Sequence, residues 1–301
     1  MHLTRRELGQ LAVALVPAGL LPARLAAQGA RKPNSKFAGV QVGLNVPYNF
    51  GGREMDPDEV LSRCLTLNVN ALELRSQPVE AFLGSPGSNG RKATPDEMTK
   101  WRTSVQIDRA AAFRKKYESA GVLIEIVKYD GIYAMADAEV DYCFNLAKTL
   151  GARAISCEID AAHTERIGRF ADKHKMMVGY HGHTATSPAH WEAAFAQAKF
   201  NWANLDIGHF LAGNNTSPVP FLKQHHARIT HVHVKDRKMH EGATTPFGQG
   251  DTPIVEVLRL IRDNKWPIQA TIEFEYPVPA GSDRMTEIAK TIEFCRQALV
   301  S

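Results

Sequence analysis

Long apolar runs are scarce in this chain of 301 residues. The one candidate, Leu11 to Leu21, falls short of the roughly 20 residues a membrane-spanning helix needs, and Pro17 and Gly19 interrupt it. Cysteine is sparse too. Cys64, Cys143, Cys157 and Cys295 stand far apart with no Cys-x-x-Cys spacing, which argues against a zinc knuckle or a dithiol redox pair. Three of the four fall in helix-like stretches, where a buried thiol behaves as a small apolar group. The spacing leaves their pairing open. No Gly-x-Gly-x-x-Gly follows the first strand-like run, which weakens a dinucleotide-binding open sheet. No basic stripe interleaved with aromatics is present and the net charge of +4 is slight, so no nucleic-acid partner is expected. Internal repeats and low-complexity tracts are missing as well.

What is there begins with an export pattern. Arg5-Arg6 precedes the short apolar stretch, and Leu25-Ala26-Ala27 offers small residues for cleavage. Residues 1–27 therefore read as a twin-arginine-type signal, with a periplasmic destination and no stable membrane span after processing. Residues 28–301 fit one large domain, with 44% hydrophobic and 23% charged residues across the chain, enough for a sizeable core. The oligomeric state is open, and a homo-oligomer is compatible with the sequence.

From residue 38 onward, short strand-like runs alternate with helical spacing. The runs are 40–44, 71–74, 123–127, 154–157, 177–180, 202–205, 229–234 and 270–274. Helices open at Asp56-Pro57, Ser187-Pro188, Ser217-Pro218 and Thr252-Pro253, where a capping residue or proline starts a helix well. Another runs from Glu139 and stops at Gly151, and the last fills Asp283 to Leu299. Eight strands alternating with eight helices describe an α/β fold, a single (β/α)8 TIM barrel. The stretches 76–94 and 237–251 read as long loops over the mouth of that barrel.

Four of these runs end on metal-ligand residue types. Glu158 ends the fourth, Asp206 the sixth and Glu273 the eighth, while His233 lies within the seventh. Carboxylates and an imidazole gathered at the carboxyl ends of parallel strands suit one divalent metal ion, Mn, Mg, Co or Zn. Each residue has a plainer reading beside it. Glu158 taken alone is a solvated loop residue, and Asp206 is a cap for the segment that follows. His231 and His233 alternate with Val232 and Val234, so both face the barrel interior, where an unpaired imidazole is costly. His181 and His183 end the fifth run, as ligands or as groups that orient ligands. Glu275 shares the inward parity of Glu273. Lys128 closes the third run, where it either reaches a substrate oxygen or is a solvated lysine.

This order of motifs resembles the xylose isomerase-like barrels of the sugar phosphate isomerase/epimerase superfamily. The resemblance is carried by Leu205-Asp206-Ile207-Gly208-His209, by His231-Val232-His233-Val234-Lys235-Asp236, by the Gly-rich Phe247 to Asp251, and by Ile272-Glu273-Phe274-Glu275-Tyr276. It implies that Asp206, His233 and Glu273 bind the ion and that His209 touches substrate. The superfamily's epimerases draw a further Glu from the fifth strand, where this chain has Gly179, His181 and His183. Glu158 is then the expected replacement.

The expected function is a divalent-metal-dependent isomerase or epimerase acting on a carbohydrate (sugar, keto-sugar or polyol) through an enediolate. Glu158 or Glu273 serves as base, with His181 or His209 as a proton relay. His183, His209, Lys235, Glu275 and Lys128 contact substrate. A metal-dependent dehydratase uses the same first step, and a non-catalytic carbohydrate-binding barrel is the alternative from a different class.

Overall fold

The computed structural model describes residues 32–87 and 92–301. The export signal expected over residues 1–27 lies outside them. No helix among the described residues is long and apolar enough to cross a membrane.

Eight parallel strands form a closed ring: β1 (Val40–Val46), β2 (Ala71–Arg75), β3 (Leu123–Lys128), β4 (Ala154–Glu158), β5 (Met177–His181), β6 (Asn201–Asp206), β7 (Ile229–Val234) and β8 (Gln269–Ile272). Each pairs with its neighbour in sequence, and β8 closes onto β1 through Ala270 opposite Val42. A short antiparallel piece, Lys36–Phe37, pairs with the start of β1. The ring is a TIM barrel, as the alternation of elements implies.

Strand parity divides each strand between two environments. On the outer side, Val42, Leu44, Leu72, Leu74, Ile155, Val178, Leu205, Val232 and Ile272 are fully buried within the apolar core. The inner side differs from the branched aliphatic filling usual in such barrels. Asn45, Glu73, Ser156, Asn204, Asp206, His231, His233 and Thr271 are all inaccessible to solvent. Charges placed so deep are tolerated only when they satisfy one another. The polar interior is therefore the candidate site.

Helix starts follow the expected chemistry. The Asp56 side chain accepts hydrogen bonds from the Asp58 and Glu59 backbone N–H groups, and Pro57 opens α1 (Pro57–Thr66). The stretch 76–94 differs from expectation. Ser76–Phe82 forms a helix, α2, whose Val79 reaches the core. Its Ser, Gln and Pro content conceals that apolar anchor. Eleven α-helices stand among the described residues, against the eight expected, because the connections after β2 and β6 each carry an extra helix or more. All four cysteines are free and buried.

The segment after β7 is also more ordered than a plain loop. Asp236–Arg237 and Thr244–Thr245 form a small hairpin. The Asp236 carboxylate accepts hydrogen bonds from the backbone N–H groups of Gly248 (2.8 Å), Gly250 (2.9 Å) and Thr252 (3.2 Å). A Cβ on Gly250 would fall 1.9 Å from Asp236 Oδ1, so only glycine fits there. Gly250→Ala is expected to cost about 1–3 kcal/mol by overpacking, lowering Tm by several degrees. Calorimetry showing an unshifted Tm would refute this account of the glycine-rich loop.

Candidate metal centre

At the carboxyl ends of the strands, His181, Asp206, His233 and Glu273 come together, each buried and each offering one ligand atom within 4.8 Å of the others. His181 Nε2 lies 3.3 Å from Asp206 Oδ2 and 3.7 Å from Glu273 Oε2. His233 Nδ1 lies 3.2 Å from Glu273 Oε2 and 3.9 Å from Asp206 Oδ2.

Each member is held by its element. Asp206 ends β6 and caps the helix Ile207–Asn214, its Oδ1 accepting the His209 backbone N–H at 2.7 Å. Capping thus uses one oxygen and leaves Oδ2 for the cluster. Gly208 sits inside that helix rather than at a turn. Its role is close packing, since a Cβ there would meet Lys235 Cγ at 2.4 Å. Glu273 lies just past β8 but continues its ladder, its N–H donating to Val234 O at 3.1 Å. Its Oε1 accepts from Asn45 Nδ2 at 2.8 Å, which turns Oε2 toward the histidines.

The outer nitrogens of both rings decide what the inner ones do. His181 Nδ1 is 2.7 Å from Glu158 Oε2, and His233 Nε2 is 2.5 Å from Glu73 Oε2. A carboxylate at one ring nitrogen draws the proton there and leaves the other nitrogen with a lone pair. Both inner nitrogens face carboxylate oxygens. Burial favours a neutral ring at His233, but Glu73 and Glu273 outweigh it and raise its pKa to about 10, so an ion bound at Nδ1 displaces a proton. His233 Nδ1 is buried beside Glu273 Oε2, an oxygen that also meets the Lys235 ammonium. Two carboxylate oxygens and two ring nitrogens are the donor set a divalent cation takes. Their separations suit ligand atoms that each sit about 2.1 Å from a shared ion. The four residues fit a divalent metal.

Glu158 therefore stands elsewhere than expected. It is absent from the group of four, where His181 takes its place. Glu158 Oε2 holds both His181 Nδ1 and His183 Nε2 at 2.7 Å, and Oε1 pairs with Lys128 Nζ at 2.8 Å. Burial opposes its ionisation, but His181, His183 and Lys128 outweigh that and hold the carboxyl well below its usual range. A carboxylate so stabilised is a weak base. Lys128 is 1% exposed, which overturns its reading as a solvated rim lysine.

Lys235 supplies the nearest positive charge. Its ammonium lies 2.6 Å from Glu273 Oε2, 2.7 Å from Glu275 Oε2 and 3.0 Å from Asp206 Oδ2. Burial alone would lower its pKa, yet the three carboxylates raise it above the ordinary lysine value. His209 touches the same ammonium through Nε2 at 2.9 Å and Arg237 through Nδ1 at 2.7 Å. Burial pushes His209 down to about 3, so it is neutral near pH 7. Glu275 faces the mouth and accepts from Tyr48 Oη at 2.9 Å. Beside it opens a cleft of 540 Å³ lined by Tyr48, Arg53, Thr244, Phe274, Glu275 and Arg284. His183, with 56% of its side chain exposed, stands 4.9 Å from the His209 ring.

Sequence reasoning missed Glu73, Asn45, Tyr48 and Arg237. Glu73 carried a usable signal, since Leu72-Glu73-Leu74 has the same alternation that placed His231 and His233 inside. Arg237 lies past β7 in the small hairpin, in a stretch read as loop, and carried none.

Residues 159–298 match the family described as xylose isomerase-like TIM barrel. Among solved structures, a sugar phosphate isomerase/epimerase from Parabacteroides distasonis is 15% identical, with a TM-score of 0.59 over 89% of this chain and 98% of that one. The probable 3-DHS dehydratase of Bacillus anthracis is 12% identical, with a TM-score of 0.61 over 85% and 99%. D-psicose 3-epimerase from Clostridium cellulolyticum is 11% identical, with a TM-score of 0.61 over 87% and 100%. No curated protein sequence matches the chain.

Proposed function

We propose that the chain, whose residues 159–298 match the xylose isomerase-like TIM barrel family, is a divalent-metal-dependent isomerase or epimerase of a sugar, keto-sugar or polyol. One observation carries this reading. Two imidazoles tied to carboxylates on one side turn their second nitrogens toward Asp206 Oδ2 and Glu273 Oε2 on the other. A divalent ion held by His181, Asp206, His233 and Glu273 supplies Lewis-acid stabilisation of negative charge on a substrate oxygen. The chain's own groups do the rest. Lys235 and neutral His209 face the same oxygen and offset charge that develops there. His183 is the accessible imidazole. Glu158 fixes its Nε2, which leaves Nδ1 to take a proton from the carbon beside a carbonyl. The imidazolium so formed on His183 returns the proton, while Glu275, paired with Lys235 and accepting from Tyr48, holds that ammonium at the rim. Glu158, expected as base and ligand, acts by orienting His181 and His183.

A dehydratase is the second reading, favoured by the His183–Glu158 pair, because an imidazole so tethered can protonate a departing hydroxyl. The two separate in one experiment. Protein loaded with Mn²⁺ is incubated in D₂O with a panel of unphosphorylated keto-sugars and followed by proton NMR. Solvent deuterium at a carbon of altered configuration is expected, with turnover falling about 100-fold or more on EDTA treatment and returning with Mn²⁺. Loss of water without epimerisation assigns the dehydratase. Sugar binding that survives EDTA, with no deuterium uptake, sinks both and leaves a binding barrel.

A further inference from the structure

Below the group of four, a second set of lone pairs is turned inward. His231 is fully buried, and its Nδ1 lies 2.8 Å from Thr230 Oγ1. That hydroxyl already gives its hydrogen to Ala203 O at 3.0 Å, so it accepts from His231 Nδ1–H. The tautomer is thereby fixed, with a lone pair on Nε2. That nitrogen points at Glu73 Oε1, 3.4 Å away, and neither atom makes a hydrogen bond. Glu73 is also fully buried, and its other oxygen is engaged by His233. Asn204 and Gln269 stand in register with His231 on the two flanking strands, and their side-chain oxygens make no hydrogen bond either. The barrel interior thus holds more acceptors than donors at this level.

A proton does not bridge such a gap well. Charge-assisted N–H···O bonds run at about 2.7–2.9 Å, shorter than the separation seen here. Two donors each about 2.1 Å from one ion and subtending a tetrahedral angle lie roughly 3.4 Å apart. We propose that Glu73 Oε1 and His231 Nε2, with amide oxygens of the same interior, bind a second divalent cation beneath the first centre. The donors are one carboxylate, one imidazole and neutral oxygens, a set suited to zinc or manganese. Through the Glu73 carboxylate, that ion also fixes the ring of His233, so the inner position braces a ligand of the outer one. The inference stands independently of the substrate reading.

The test is a count of Zn²⁺. Protein produced with zinc and dialysed against metal-free buffer is expected to hold two equivalents per chain by elemental analysis. His231→Gln is expected to hold one, and so is the double variant His181→Gln with Asp206→Asn. Should His231→Gln fail to fold, anomalous scattering from wild-type crystals at the zinc edge replaces it, with a peak expected between Glu73 and His231. One equivalent in the wild type, unaltered by His231→Gln, overturns the inner site, as does a water-strength peak with no anomalous signal. Two equivalents in the double variant, with one in His231→Gln, would sink the outer centre and leave the inner one standing.

Discussion

Glu273→Gln is expected to lower kcat/KM by about 10³-fold or more, equivalent to ~4 kcal/mol of transition-state stabilisation. The substitution keeps the side-chain volume and removes one negative charge from a group of four whose ligand atoms lie within 4.8 Å of one another. Glu273 Oε2 is the atom that His181 Nε2, His233 Nδ1 and Lys235 Nζ all approach. An amide in its place offers a weaker oxygen or a nitrogen donor, and either spoils a divalent site. Folding should survive, because Lys235 keeps Asp206 and Glu275 as partners and no ammonium is stranded. Kinetics, Mn²⁺ titration calorimetry and circular dichroism on one preparation check the three parts together. Full activity with undiminished Mn²⁺ affinity would remove Glu273 from the centre.

The second large effect concerns stability. Lys235→Met withdraws the one ammonium that Asp206, Glu273 and Glu275 share, leaving buried carboxylates facing each other. Removing one partner of a buried ion pair costs about 3–5 kcal/mol. In a domain this size, that corresponds to a Tm lower by roughly 10 °C. The loss is expected in metal-free protein and should shrink when Mn²⁺ is present, since a divalent ion restores positive charge at Asp206 and Glu273. Differential scanning calorimetry with and without Mn²⁺ measures both. An equal loss in the two conditions would mean that the carboxylates accept no ion.

Much of the architecture was legible from residue order. Aliphatic runs punctuated by capped helices give strands and helices whatever the packing, and all eight barrel strands lie within a few residues of their expected positions. The extra helix Ser76–Phe82 was hidden because its apolar content is confined to few residues in a stretch rich in glycine, serine and proline. At the site, Asp206, His233 and Glu273 were readable because each combines a strand terminus with inward parity. The exchange of Glu158 for His181 was not. Both are at strand ends, on β4 and β5, opposite one another in register. Only the closed ring shows that three neighbours already occupy the Glu158 carboxylate. Glu73 escaped for a related reason, because one acidic residue flanked by leucines suits a solvated strand face equally well until closure turns that face inward.

Asp236 follows Lys235 directly in the chain, and it grips the glycine-rich segment that follows Phe247. The glycine-rich segment and the buried ammonium are thus anchored by adjacent residues. Asp236 holds the glycine-rich segment one peptide unit away from the residue that neutralises the buried carboxylates.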